Sequence, residues 1–181
     1  MLSKACYNQK QRQEVNMKKV IFISGTMGSG KTTVSRLCNE QLTRSVWLDG
    51  DWCWMMHPFQ VSDQTKAMVL DNITYLLNQF LAQPDFDYIL FSWVMDDPET
   101  VRSILERLHG EFTFNHFTLS PSPAQLRRQL QSDMDRGLRT PDCLERSLAR
   151  IPHYDDIDSE KIETTGREPL SIAWEILFRL R

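Results

Sequence analysis

The stretch Val20-Ile21-Phe22-Ile23-Ser24-Gly25-Thr26-Met27-Gly28-Ser29-Gly30-Lys31-Thr32-Thr33 decides how the rest of the chain is read. Its opening run is continuously apolar, as in a strand covered on both faces of a parallel sheet. Residues 25–32 then match the phosphate-loop pattern Gly-x-x-x-x-Gly-Lys-Thr in full, between that strand and a helix predicted from Lys31 to about Leu42. The residue types follow from the chemistry. Glycines let the backbone turn so that successive N–H groups face phosphate oxygens, and the helix adds the positive end of its dipole. Lys31 has the length to reach β- and γ-phosphates, and the Thr32 hydroxyl is a magnesium ligand. The stretch predicts a site for ATP with Mg2+, with Gly25, Thr26, Met27, Gly28, Ser29, Gly30, Lys31, Thr32 and Thr33 around the phosphates.

Working outward, 181 residues suit one domain with an adequate core. The formal net charge is −3 and both signs are interspersed. That balance argues against nucleic acid as the partner. Cys6, Cys38, Cys53 and Cys143 form no Cys-x-x-Cys pair, which points to reduced thiols in a cytoplasmic protein. No run reaches the ~18 apolar residues of a membrane span. Residues 1–16 are polar and read as a flexible extension, with 17–181 as the folded domain and Met17 as an alternative start. The oligomeric state is not written in the sequence.

Short apolar runs alternate with helix-period stretches, the pattern of an α/β domain. Strands are expected at 20–23, 45–48, 88–94, 112–119 and 161–164, with about six helices between and after them. Ser62, Asp97 and Ser122 stand where helix caps stand, the last two followed by Pro in the first turn. Val69, Ile73, Leu76, Leu77 and Phe80 mark the inner face of the helix that Ser62 opens. No Asn-Lys-x-Asp element is present, and the 88–94 strand lacks a terminal Asp-Glu pair, so neither a guanine switch nor a hydrolysing motor is indicated.

The second strand ends in Leu48-Asp49-Gly50-Asp51, at the carboxyl end where parallel sheets bind ligands. One carboxylate can hold magnesium and the other can accept the proton of an attacking hydroxyl. Asp49 is assigned to the metal, with Thr32, and Asp51 to the base.

The phosphate loop together with Leu48-Asp49-Gly50-Asp51 resembles the small P-loop kinases of the nucleoside monophosphate kinase superfamily, among them gluconate, adenylylsulfate and shikimate kinases and chloramphenicol phosphotransferase-like enzymes. The resemblance implies a five-stranded parallel sheet in the order 2-3-1-4-5. It also implies a lid, here about 136–156, whose arginines close over ATP. Arg136 and Arg139 match that role as catalytic cations beside Lys31, and Arg128 lies on the nucleotide side. Thr165-Gly166 is placed like the loop that borders adenine.

Where gluconate kinases carry further basic residues, this chain has Trp52-Cys53-Trp54-Met55-Met56-His57-Pro58-Phe59. Trp52, Trp54, Phe59 and Trp93 read as pocket or core. The expected activity is transfer of the γ-phosphoryl group to a small-molecule acceptor: a nucleoside or nucleotide, a sugar acid, or an antibiotic. An ATP-binding regulator or toxin-like module with a protein partner is the alternative class, and a kinase of nucleic-acid ends is a third.

Overall fold

The computed structural model describes residues 17–180, so the expected extension 1–16 lies outside the described residues. The apolar runs form β1 (Lys18–Ser24), β2 (Ser45–Asp49), β3 (Tyr88–Ser92), β4 (Phe112–Ser120) and β5 (Glu160–Glu163). All pairings are parallel, in the order β2-β3-β1-β4-β5, as the resemblance to small P-loop kinases implied. The most apolar strand, β1, is central. Its alternate residues feed two cores, because successive side chains of a strand point to opposite faces. Val20 and Phe22 pack with Leu48, Ile73, Leu77 and Phe91, while Ile21 and Ile23 pack with Leu90, Phe117, Ile172 and Ile176.

The helices are α1 (Lys31–Gln41), α2 (Asp63–Ala82), α3 (Pro98–Leu105), α4 (Pro123–Asp135), α5 (Cys143–Ala149) and α6 (Pro169–Phe178). The caps fall where the sequence has them. Ser62 accepts from the Thr65 N–H in a reciprocal capping box, Asp97 from Glu99, and Ser122 from Gln125. Each such cap is worth about 1 kcal/mol. Two short 3-10 turns, Gly50–Trp54 and Ile151–Asp156, follow β2 and α5.

Two strands end earlier than expected. β3 stops at Ser92 rather than continuing to Val94, because its partner β2 ends at Asp49, opposite Ser92. β5 is shifted one residue earlier than 161–164. A third, smaller core joins Leu126, Leu130 and Cys143 to Met27 of the phosphate loop and to Leu144, Leu148 and Ile151. It packs the region after β4 directly onto that loop. No helix among the described residues is long and apolar enough to cross a membrane.

Candidate active site

Parallel register brings the carboxyl ends of three strands together. Ile23 and Asp49 both stand opposite Ser92, and Ser24 stands opposite Thr118. The phosphate loop, the Asp49-Gly50-Asp51 turn and the segment Trp93-Val94-Met95-Asp96 therefore leave the sheet along one edge. They border a cleft of ≈ 1150 Å3.

The loop has the backbone its glycines predict. Gly28 has φ +80, and a Cβ there would stand 2.7 Å from Leu130 Cδ2, so the loop and α4 approach too closely for a side chain. Thr26 and Ser29 are buried. The Thr26 hydroxyl donates to the Ser147 carbonyl of α5 at 2.8 Å, fastening the loop to the segment expected to be a lid. Lys31 Nζ folds back onto the Thr26 carbonyl at 2.9 Å. Burial pushes its ammonium down to about 8, against the opposing pull of Asp51 and Asp49.

Thr32 Oγ1 donates to Asp49 Oδ2 at 3.0 Å, and the Asp51 backbone N–H donates to Asp49 Oδ1 at 3.1 Å. Asp49 is buried, and burial raises its carboxyl pKa despite those two donors and Lys31. Asp51 is exposed at the start of the 3-10 turn. The glycine between them is dictated by packing, since a Cβ at Gly50 would lie 2.5 Å from Trp93 Cγ. A hydroxyl and a carboxylate converging beside a phosphate cradle form a donor set suited to Mg2+, a hard cation bound by few protein oxygens plus phosphates. Thr32 and Asp49 are the residues that fit it.

The arginines divide. Arg139 reaches the cleft with its Nε 3.3 Å from Asp133 Oδ2. Arg136 points to the same carboxylate at 3.9 Å but stays exposed and does not border the cleft. Nor does Arg128, whose guanidinium bonds Gln125 one turn back on α4. Two arginines outside the sequence reading do border it, Arg146 and Arg150. Arg150 Nε lies 3.5 Å from Asp96 Oδ2, and His153 Nδ1 lies at the same distance from that oxygen. The spacing of Arg146 and Arg150, four residues apart, was the available signal, because it aligns two side chains on one helical face. Asp97 caps α3, which leaves Asp96 for the cleft.

The aromatic residues divide as well. Trp54, Phe59 and Trp93 border the cleft, with ring centroids 5.8 Å apart for Trp54 and Phe59 and 6.4 Å for Trp54 and Trp93. Trp52 turns away to pack on Trp47 at 5.0 Å. Thr165 lies outside the cleft and accepts from the Ser122 N–H.

No curated protein matches the sequence. Among solved structures, the tunicamycin resistance protein of Deinococcus radiodurans superposes with a TM-score of 0.66 at 17% identity, covering 91% of this chain and 97% of that one. A gluconokinase from Sinorhizobium meliloti 1021 gives 0.63 at 17% identity, covering 90% and 91%. Shikimate kinase from Acinetobacter baumannii, in complex with shikimate, gives 0.59 at 20% identity, covering 92% and 94%. These likenesses establish the P-loop kinase-like fold. A family model described as an AAA domain matches residues 21–153, the span that holds the phosphate loop, the Asp-Gly-Asp turn and the arginine-bearing segment, and this chain belongs to that AAA domain family.

Proposed function

We propose that the chain is an ATP-dependent phosphotransferase that moves the γ-phosphoryl group to a small-molecule acceptor. The observation that carries this reading is the 3.0 Å hydrogen bond between Thr32 and Asp49, beside Lys31 and within reach of an exposed second carboxylate, Asp51. The loop amides between Gly25 and Thr33 hold the phosphates, and Lys31 exchanges the Thr26 carbonyl for phosphate oxygen. Thr32 and Asp49 would hold Mg2+, which would supply positive charge against the phosphates. Asp51 takes the proton of the attacking acceptor hydroxyl. Arg139, with Arg146 and Arg150, offsets charge developing on the transferred group. Arg136 joins them only if the segment 136–156 shifts toward the cleft, and Arg128 is left without a part.

The fold of the superposed gluconokinase and shikimate kinase supports this reading, as does the wide cleft beside the loop. The test is transfer of labelled phosphate from ATP to a pooled set of nucleosides, sugars, sugar acids and antibiotics, alongside thermal melting with Mg-ATP. Label in an acceptor, with melting raised by nucleotide, supports it. Melting raised by Mg-ATP with no acceptor labelled refutes the phosphotransferase reading and leaves a nucleotide-binding module.

A further inference from the structure

The acceptor half of the cleft is built by the chain between β2 and α3, and its composition is one-sided. Residues 45–101 contain one lysine, Lys66, and no arginine. Lys66 borders the cleft, but it is exposed and its Nζ lies 3.7 Å from Asp63 of the same helix turn, so water and that carboxylate screen its charge. The same half brings three carboxylates to the cleft, those of Asp49, Asp51 and Asp96. The cleft arginines all come from the opposite side, and each has a carboxylate partner: Arg139 with Asp133, Arg146 with Asp142, Arg150 with Asp96.

The same half of the cleft carries a wall of rings. Trp54, Phe59 and Trp93 stand with their planes tilted by only 36–40° along the chain of contacts. Phe59 is 65% exposed and Met55 83%, with Val61 beside them at 60%. Such large apolar side chains at the mouth of a cleft offer contact area to a flat occupant. A phosphomonoester or carboxylate acceptor would enter a half of the cleft where the described residues bring no arginine and only Lys66 and His57 as possible cations, beside the Asp51 carboxylate, which has no ion pair among the described residues. Desolvating an unpaired anion there is strongly unfavourable.

We propose that the phosphoryl acceptor is an uncharged, hydroxyl-bearing compound with a flat ring, stacked on the Trp54, Phe59 and Trp93 wall. This assignment rests on the phosphotransferase reading above. In the reaction the acceptor hydroxyl oxygen forms a bond to the γ-phosphorus of ATP, and the bond from that phosphorus to the β–γ bridging oxygen breaks. The hydroxyl proton passes to Asp51, and ADP leaves with the bridging oxygen's electron pair.

The experiment uses matched pairs of acceptors and measures ADP formation with the full chain and Mg-ATP. Thymidine is set against thymidine monophosphate, pyridoxine against pyridoxic acid, and benzyl alcohol against hydroxymethylbenzoate, within a larger paired library. Uncharged members should be turned over at least about tenfold faster than their anionic partners, the discrimination that one uncompensated charge imposes. Faster turnover of the anionic members overturns the acceptor class and leaves phosphotransfer standing. No ADP from any pair, while Mg-ATP still raises the melting temperature, overturns phosphotransfer itself and this assignment with it. With the best uncharged acceptor, Phe59→Ala should raise KM about tenfold, since the ring is exposed and not needed for the core. An unchanged KM removes the ring wall as the acceptor site.

Discussion

The two halves of the cleft are built by opposite means. The phosphate side is backbone: amides of a glycine-shaped loop, with Thr26 and Ser29 buried beneath it and Gly28 pressed against Leu130. The acceptor side is side chain, carried on a 3-10 turn and the irregular stretch after it, where Met55, Phe59 and Val61 are exposed. Phosphates present the same tetrahedral oxygens in every nucleotide, so a fixed arrangement of N–H groups suits them. An acceptor's shape is particular, and side chains that do not hold up the core can change without unfolding the domain. The contrast teaches that loss of chemistry should separate cleanly from loss of nucleotide binding.

The largest separation is expected at Asp51. Asp51→Asn keeps the size of the side chain and removes the proton acceptor, so transfer should fall by about 10² or more. The rise in melting temperature with Mg-ATP should persist, because the loop supplies the phosphate contacts. Full transfer in Asp51→Asn would break the assignment and move the base to Asp96, the other carboxylate at that end of the cleft. Asp49→Asn should instead raise the Mg2+ concentration needed for half-maximal rate, since it weakens the Thr32–Asp49 pair.

Lys31 sharpens the phosphate side. At a hundred times its dissociation constant, a ligand stabilises the native state by ~2.7 kcal/mol, and Lys31→Ala should abolish that gain with Mg-ATP. Titration gives a second reading. Burial holds the Lys31 ammonium at about 8 against an ordinary 10.5. Between those values the unfolded chain keeps a proton that the folded chain has lost, so the ligand-free protein should gain stability as pH rises from 8 towards 10.5. ATP affinity should weaken over the same rise, as the cation that meets the phosphates disappears. Lys31→Met should flatten both curves, measured by melting and by equilibrium binding.

A smaller effect distinguishes the arginines. Arg139→Ala should lower turnover by about tenfold with little change in ATP affinity, as for a group that meets charge only in the transition state. Arg128→Ala should change neither, because its guanidinium is occupied on its own helix. Equal losses in the two variants would erase the distinction between cleft and outer face. The smallest effect lies at the junction of loop and α5. Thr26→Val deletes the hydroxyl and strands the Ser147 carbonyl, costing about 1 kcal/mol, or ~2–4 °C of melting temperature.

Much of this was legible from the residues. β1 announced itself through Val20-Ile21-Phe22-Ile23, since only a strand covered on both faces is apolar throughout. The caps at Ser62, Asp97 and Ser122 were readable because capping is a local hydrogen bond between near neighbours. The end of β3 was not, because it depends on where β2 stops, a fact recorded some forty residues away. The cleft arginines were read only in part. Arg139 stands in a loop with a lid-like sequence, whereas Arg146 and Arg150 sit on a short, partly exposed segment that resembles any solvated helix. The place of Arg150 is fixed by Asp96, which the topology brings to it from another strand end. The separation of Trp52 from Trp54 was equally hidden, because it turns on which face of a 3-10 turn each side chain leaves.

The hydrogen bond from Thr26 to Ser147 spans 121 positions in the chain. During synthesis the phosphate loop leaves the ribosome before α5, so its second residue waits for a partner made much later. Met27 waits too, for Cys143, Leu144 and Leu148 of the third core. A nascent chain that stops before Cys143 thus carries the whole phosphate-loop motif on a bed that is still missing. Ability to grip nucleotide should therefore arrive only once the chain has been made through α5, well after the motif itself.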